Sequence, residues 1–577
     1  MLHRLLPASL ALALGACATI PSAPLVPIDS SPVEVGIAAI NDFHGALEPP
    51  RASVTVPDGA GGTITVPAGG AAWLASAVEQ IRAQYPHDLT VGAGDLTGAS
   101  QLASSIYLDE PTVGVLNRIG LDMTAVGNHE FDRGTKELSR LQYGGCEKNT
   151  QREPCALERF AGANYRYLAA NVRGENGQTL FPGSVLRSFG EGARAVTVGL
   201  VGLTLEDTKN LVSPHGTDGF TFEDEASTIN AEVAQLKSQG ADAVVVLIHQ
   251  GIRTDPQLPE SCESTSGDLA PILAQLDPRV DVVISGHTHW AYVCEWPSKD
   301  PAKRFLLTSA GVFGKLVTDI RLAIDPASGA VVSRAARQVV VQSEPYQGSQ
   351  GLVGLTDTLP RFAPDPAVAE YVGRYVAASA EFATRPIGKL SGPASKTAPA
   401  EGGPLGNLIA DAQLAATRGA GAQIALMNPA GMRTALVPDP DGSVTFGMAF
   451  RVQPFGNTLV TMTLTGAELK AVLEQGFDDI QPKQWLSPSA GFTYSTDLTR
   501  PIGERVTAIT LDGRPIDPAA KYRVTANNFL ADGGDSFSLF DQAAEKVVGP
   551  DDLAALESWI AAVPVRAVPE ERRVNGN

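Results

Sequence analysis

The 577-residue chain is too long for a single hydrophobic core, so two or more domains are expected. Its 44% hydrophobic and 19% charged residues are the composition of a globular protein, not of a disordered or membrane-spanning one. A formal net charge of −19, with no Lys/Arg run to offset it, argues against binding a nucleic-acid polymer, because a polyanion would be repelled.

Met1–Arg4 is a short positive stretch, and the apolar run from Leu5 to Ala16 has the length of a signal peptide rather than a membrane span. It closes on Leu14-Gly15-Ala16-Cys17, which resembles a bacterial lipobox. On that reading residues 1–17 are a lipoprotein signal peptide, and Cys17 carries the lipid anchor of an exported, periplasmic, outer-membrane protein. The alternative is plain cleavage near Ala16. Residues 18–32, with Pro21, Pro24, Pro27 and Pro32, read as a flexible tether. Setting Cys17 aside leaves four cysteines, an even number that suits two disulfides in an oxidising compartment. The shortest loops are closed by Cys146–Cys155 and Cys262–Cys294, and no C-x-x-C spacing supports a zinc cluster.

From residue 33 onward, short runs rich in β-branched residues each stop at polar ones. Val35–Ile40 runs into Asn41-Asp42, Leu89–Val91 into Gly94-Asp95, and Met123–Val126 into Gly127-Asn128-His129. Further on, Val244–Ile248 runs into His249, and Val280–Ile284 into Gly286-His287. Helix-like stretches such as Ala71–Ala83 and Ala226–Gln239 lie between them. The alternation predicts an α/β architecture over 33–345, with the carboxyl ends of the strands on one rim, where ligands bind. Residues 346–386 read as a linker containing a helix over Asp365–Thr384, with apolar Val368, Tyr371, Val372, Tyr375 and Val376 at helical spacing. A second, smaller α/β domain is expected over 387–565, followed by a polar tail at 566–577.

The chemistry gathers at the predicted strand ends. Asp42, His44, Asp95, Asn128, His249, His287 and His289 supply seven oxygen or nitrogen donors, and five of the eight histidines of the chain sit in these short motifs. Mixed carboxylate, amide and imidazole donors without thiolate suit zinc, manganese or iron. Two divalent ions some ~4 Å apart need six or seven such ligands, one of them a bridging carboxylate.

Asn41-Asp42-Phe43-His44-Gly45, Gly94-Asp95, Gly127-Asn128-His129-Glu130-Phe131-Asp132 and Gly286-His287-Thr288-His289 resemble the calcineurin-like metallophosphoesterases, in particular the bacterial 5'-nucleotidases and UDP-sugar hydrolases. The resemblance covers about residues 33–560 and implies a two-sheet sandwich flanked by helices, a linker helix and a nucleotide-binding second domain. It implies Asp42, His44, Asp95 and His289 on one metal, and Asp95, Asn128, His249 and His287 on the other, with Zn2+ or Mn2+ as the favoured ions. His129, oriented by Asp132 on one helix face, would stabilise charge in the transition state. In the second domain Asn428-Pro429-Ala430-Gly431-Met432-Arg433, Pro454-Phe455-Gly456-Asn457 and Asn527–Asp535 carry the likeness. They imply that Phe455 and Phe529 sandwich the base, Asp535 binds the ribose, Arg433 contacts phosphate, and Asn428 and Asn457 touch base or sugar. The family's further arginine is absent from Pro399–Asn407, where Lys396 is the nearest cation. The activity implied is release of phosphate from a 5'-nucleotide. A 2',3'-cyclic-nucleotide phosphodiesterase or a UDP-sugar hydrolase on the same site is the alternative, and a non-catalytic nucleotide-binding surface protein is the outlying one.

Overall fold

The computed structural model describes residues 31–576 apart from 60, 151, 213–215, 349–350 and 480–482. The expected signal peptide, Cys17 and all but the end of the tether lie outside the described residues.

Two six-stranded sheets build the first unit. One runs in the order Ala330–Val340, Leu316–Asp325, Val33–Ile40, Asp88–Ala93, Met123–Ala125, Arg166–Leu168. The other runs Ala291–Pro297, Arg304–Ala310, Val282–Ser285, Ala243–His249, Val196–Thr204, Ser184–Phe189. The central strands of each are parallel, so their carboxyl ends share a rim. The continuous apolar runs have a simple cause: both faces of these strands are covered. In Ala243–His249, Val245 and Leu247 point into the core between the sheets. Val244, Val246 and Ile248 point outward, under Ile229, Val233 and Leu236 of the Glu225–Ser238 helix. Each such side chain contributes roughly 1.5–3 kcal/mol when removed from water, and a one-residue slip would exchange the two faces.

The predicted linker helix forms over Pro366–Thr384, with Asp365 as N-cap accepting from the Val368 N–H at 2.8 Å. It does more than connect. Val368, Tyr371, Val372 and Tyr375 are buried in the outer core of the first unit, beside the Ala71–Arg82 and Glu110–Ile119 helices. The second unit carries a five-stranded sheet ordered Ser487–Pro488, Ile424–Met427, Lys521–Asn527, Thr458–Thr465, Ala544–Asp551, plus a four-stranded one. The units interlock: Leu102, from the first unit's Leu102–Ser105 helix, is buried among Leu405, Phe450 and Leu556 of the second. Cys146–Cys155 and Cys262–Cys294 are joined as disulfides.

The end of the chain departs from expectation. Residues 566–577 were expected to be a polar tail, but Val574–Gly576 adds a parallel strand beside Phe492–Thr496. Arg573, 4% exposed, donates to Asp411 at 2.7 Å and to the Pro488 carbonyl at 3.0 Å, with Glu571 as a second carboxylate partner. A polar composition hides a buried ion pair whose other half lies far upstream. Arg573→Met leaves Asp411 without its cation and is expected to destabilise the fold by about 3 kcal/mol. Denaturant titration reads this, and a change below about 0.5 kcal/mol would mean the terminal strand adds nothing.

Candidate metal centre and substrate cleft

The strand ends bring the seven predicted donors into two adjoining groups. Asp42, His44 and His289 offer ligand atoms within 4.8 Å of one another, as do Asp95, His249 and His287. Asn128 joins the second group, its Oδ1 lying 3.2 Å from His249 Nε2 and 3.1 Å from His287 Nδ1. Asp95 stands between the groups, with Oδ2 3.0 Å from His249 Nε2 and 3.8 Å from His44 Nε2.

Strain and hydrogen bonding hold these groups in place. Asp42, His44, Asp95, His287 and His289 all adopt left-handed backbone conformations, with φ between 46° and 69°. For residues other than glycine this is costly, and such positions cluster where a site dictates geometry. The supports are specific. Asn41 donates to Asp42 Oδ2 at 2.7 Å while its own Oδ1 accepts from the Ala310 N–H. Phe313, itself at φ 64°, sets its ring against His44 and His289. Glu130 accepts from four backbone N–H groups, those of Asp95, Leu96, Thr97 and Gly127, at 2.7–3.0 Å. Its carboxylate therefore holds together the two turns that present Asp95 and Asn128. Glu130 and Asn41 fall within the sequence motifs, but spacing alone gave neither a task, and Phe313 lies outside those motifs. The signal for Glu130 was a carboxylate beside a glycine-containing turn within a donor motif.

The chemistry of the donors fits a divalent cation at each group. His44 Nδ1 and His249 Nδ1 lie 2.9 and 2.8 Å from the carbonyls of Gly98 and Ala93. A carbonyl can only accept, so both Nδ1 atoms carry a hydrogen, which leaves Nε2 of each ring as the atom that can offer a lone pair to a cation. His44 Nε2 faces His289 Nε2 at 3.3 Å, a close approach that a shared cation relieves. The charge balance agrees. Burial lowers the His44 and His287 pKa values to about 3. Burial also works against protonating His249, yet Asp95 and Asp42 outweigh it and raise that group to about 9. Two buried carboxylates thus call for positive charge at this spot.

His129 and Asp132 are brought together as expected, on a short 3-10 turn at His129–Phe131 rather than an α-helix. In a 3-10 turn positions i and i+3 eclipse, and His129 Nδ1 lies 3.0 Å from Asp132 Oδ2. The His129 backbone N–H donates to Asp95 Oδ1 at 2.9 Å, tying the pair to the donor cluster. Burial opposes protonation of His129, but Asp132 and Asp95 prevail and raise its pKa.

The second unit reaches over this rim. Phe455 stacks on the His129 ring at 5.8 Å and 14°, and the Arg433 guanidinium lies 5.8 Å from the Phe455 ring. Withdrawal from water lowers the Arg433 pKa, against the pull of Asp95, Asp132 and Asp42. Lys396 donates to the Pro429 carbonyl at 3.1 Å and feels Arg433 as a like charge. Asn428 Nδ2 donates to Asp535 Oδ2 at 2.7 Å, so these two predicted residues meet directly. Asn428 Oδ1 in turn accepts from Asn527 at 3.1 Å. Phe455 and Phe529 remain partly exposed, unlike the fully buried Phe537 and Phe540 nearby. Phe529 lies against Gly534, where an added Cβ would come within 2.4 Å of its ring. Asn457 borders the Phe455 loop, and its carbonyl accepts from the Asp552 N–H at 2.8 Å.

A two-sheet sandwich that collects carboxylates and imidazoles at one rim is the arrangement of the calcineurin-like phosphoesterases, and the model of that family matches residues 36–291. A second model, the 5'-nucleotidase C-terminal domain, matches residues 379–542. The chain belongs to the two-domain family that joins them, the 5'-nucleotidases. It is 26% identical to the 5'-nucleotidase of Bos taurus over 583 residues, covering 94% of this chain and 91% of that one. It is 29% identical over 534 residues to the endonuclease YhcR of Bacillus subtilis, covering 92% of this chain but only 40% of YhcR. The solved structure of a 5'-nucleotidase precursor from Thermus thermophilus superposes with a TM-score of 0.71 at 26% identity, covering 94% of this chain and 99% of that one. The calcineurin-like fold implies divalent metal ions.

Proposed function

We propose that this chain is an exported phosphohydrolase that uses two cations to convert 5'-nucleotides to nucleoside and inorganic phosphate. The observation that carries the reading is Asp95, whose Oδ2 stands within 3.0 Å of His249 Nε2 and 3.8 Å of His44 Nε2. One carboxylate serving two donor groups is what a paired-cation site requires. Asp42, His44, Asp95 and His289 would hold one ion, and Asp95, Asn128, His249 and His287 the other, with Zn2+ or Mn2+ suited to such donors. When bound, the ions supply Lewis acidity, neutralising phosphate charge and acidifying a water molecule.

The remaining steps belong to the protein. Asp132 occupies His129 Nδ1, which leaves Nε2 to carry a proton toward the leaving oxygen. Arg433 brings a fixed positive charge over the same rim, where the phosphoryl group gains negative charge. Phe455 and Phe529 offer aromatic faces to the base, a contact that tolerates several bases. Asp535 accepts from the ribose hydroxyls. The two disulfides and the apolar N-terminus support action outside the cytoplasm, with Cys17 as lipid anchor.

The test is phosphate release after chelation and metal re-addition, comparing AMP, bis(p-nitrophenyl) phosphate and UDP-glucose. AMP is expected to be the best substrate. If it is the poorest, the nucleotidase reading is wrong, whereas activity that survives chelation removes the paired-cation reading.

The ribose contact has its own pH signature. Burial raises the Asp535 pKa to about 6, against the Asn428 hydrogen bond that lowers it. The ionised carboxylate is the stronger acceptor for hydroxyl hydrogen bonds, and protonation turns one of its oxygens into a donor, so binding weakens as pH falls through about 6. Competitive inhibition by adenosine isolates this effect, because adenosine has no phosphate to titrate. Its Ki should climb below pH 6 in the native protein and stay flat in Asp535→Asn. A native Ki that does not vary between about pH 5 and 8 would remove Asp535 from the ribose site.

A further inference from the structure

The loop that carries Phe455 runs from Gln453 to Asn457, between the Phe446–Val452 helix and the Thr458–Thr465 strand. Both of its ends are held by Asp552, the first residue of the Asp552–Ala561 helix. Gln453 Nε2 donates to Asp552 Oδ2 at 3.2 Å, and the Asp552 backbone N–H donates to the Asn457 carbonyl at 2.8 Å. Gln453 and Asp552 are each 1% exposed.

Two oxygens of this joined pair are left over. Asp552 Oδ1 and Gln453 Oε1 are both buried without a hydrogen-bond partner. If Asp552 were ionised, each of these atoms could only accept, and both would remain without a hydrogen-bond partner, a costly state for buried oxygens. The groups around the carboxylate are the Gln453 and Asn457 side-chain amides and the backbone N–H groups at the start of the helix, none of them charged. Its sequence neighbour Asp551 adds a like charge, while the start of the helix favours the anion only weakly. One hydrogen satisfies both orphans: a protonated Oδ1 donates to the Gln453 amide oxygen while Oδ2 accepts from the amide nitrogen.

We propose that Asp552 is a neutral positioning residue, paired acid-to-amide with Gln453, which clamps the Phe455 loop and so sets the nucleoside platform. Burial, with Asp551 beside it, pushes the carboxyl pKa well above its usual range and agrees with this state. The proposal rests on the reading of Phe455 as the base platform. It concerns substrate placement and leaves the chemistry at the metal centre untouched.

The test uses the full chain loaded with Zn2+ or Mn2+, with AMP and p-nitrophenyl phosphate as substrates. Asp552→Ala should raise the KM for AMP about tenfold while kcat changes by less than about twofold. Kinetics on p-nitrophenyl phosphate, which has no nucleoside, should not change. Asp552→Asn should keep the native KM, because its amide supplies the N–H that replaces the acid O–H. The exchanged pair, Gln453→Glu with Asp552→Asn, keeps one acid and one amide and should also behave as native. Asp552→Asn failing as badly as Asp552→Ala would mean the carboxylate is charged, and the proposal falls. If Asp552→Ala does not fold, Asp552→Asn and the exchanged pair decide the matter, native KM supporting the clamp and a raised KM overturning it. Phe455→Ala separates the two readings. A raised KM there, beside native values in Asp552→Ala, overturns the clamp alone, and an unchanged KM overturns the base platform and the clamp with it.

Discussion

Asp95→Ala is expected to lower kcat/KM on AMP by a factor on the order of 10^4, equivalent to about 5.5 kcal/mol of transition-state stabilisation. Three losses combine in this one substitution. The carboxylate that stands between the two donor groups goes, so on the proposed paired-cation reading each group loses a ligand and bound metal should fall when measured by elemental analysis. Oδ1 no longer accepts the His129 N–H, and the His129 turn loses its tie to the donor cluster. One of the two carboxylates among the seven donors is lost, leaving Asp42. Folding is checked on the same sample by circular dichroism, because the substitution removes the repulsion felt by Asp42 but also takes from buried His249 the carboxylate it pairs with. Retention of more than about a tenth of native activity, with normal metal content, would show that Asp95 does not bridge.

His129→Ala is expected to reduce kcat by about 10^2- to 10^3-fold while metal content and thermal stability stay close to native. The effect is smaller than for Asp95 because His129 donates no ligand atom to either group. Asp132→Asn should cost less, roughly tenfold, because the imidazole keeps its place but loses the anion that holds it charged. The sign of the accompanying pH shift is fixed. Asp132 and Asp95 raise the His129 pKa, so the protonated form persists to higher pH in the native protein. Asp132→Asn should therefore move the alkaline fall in kcat to lower pH. Unchanged kcat in His129→Ala would assign leaving-group protonation elsewhere.

Much of the first unit was legible from periodicity. Strands such as Ala243–His249 are covered on both faces, so they read as unbroken apolar runs, and each run ends where the backbone leaves the sheet and presents its polar residue. That coupling made the seven donors readable as a set. Their backbone conformation was not readable. Nothing in the local sequence marks Asp42 or His289 for a left-handed φ, because the strain is imposed by contacts with Phe313, Gly94 and neighbouring strand ends. Glu130 escaped for a related reason, since three of the amides it binds lie 33–35 residues upstream. Arg573 is the extreme case, its carboxylate partner Asp411 standing 162 residues away. Period and spacing report on near neighbours, and a buried charge pair is decided by the meeting of segments that composition treats separately.

The lodging of Leu102 among Leu405, Phe450 and Leu556 bears on how this molecule could be taken apart. The two matched regions are contiguous in sequence and invite separate expression, yet their boundary in space does not follow the chain. A first unit produced alone would display Leu102 and the neighbouring Ile106 to water, and a second unit alone would have a hole in its wall. A protease cut in the 341–365 stretch should leave two fragments that travel together on a gel-filtration column. The halves of this protein are modular as genes and inseparable as solids.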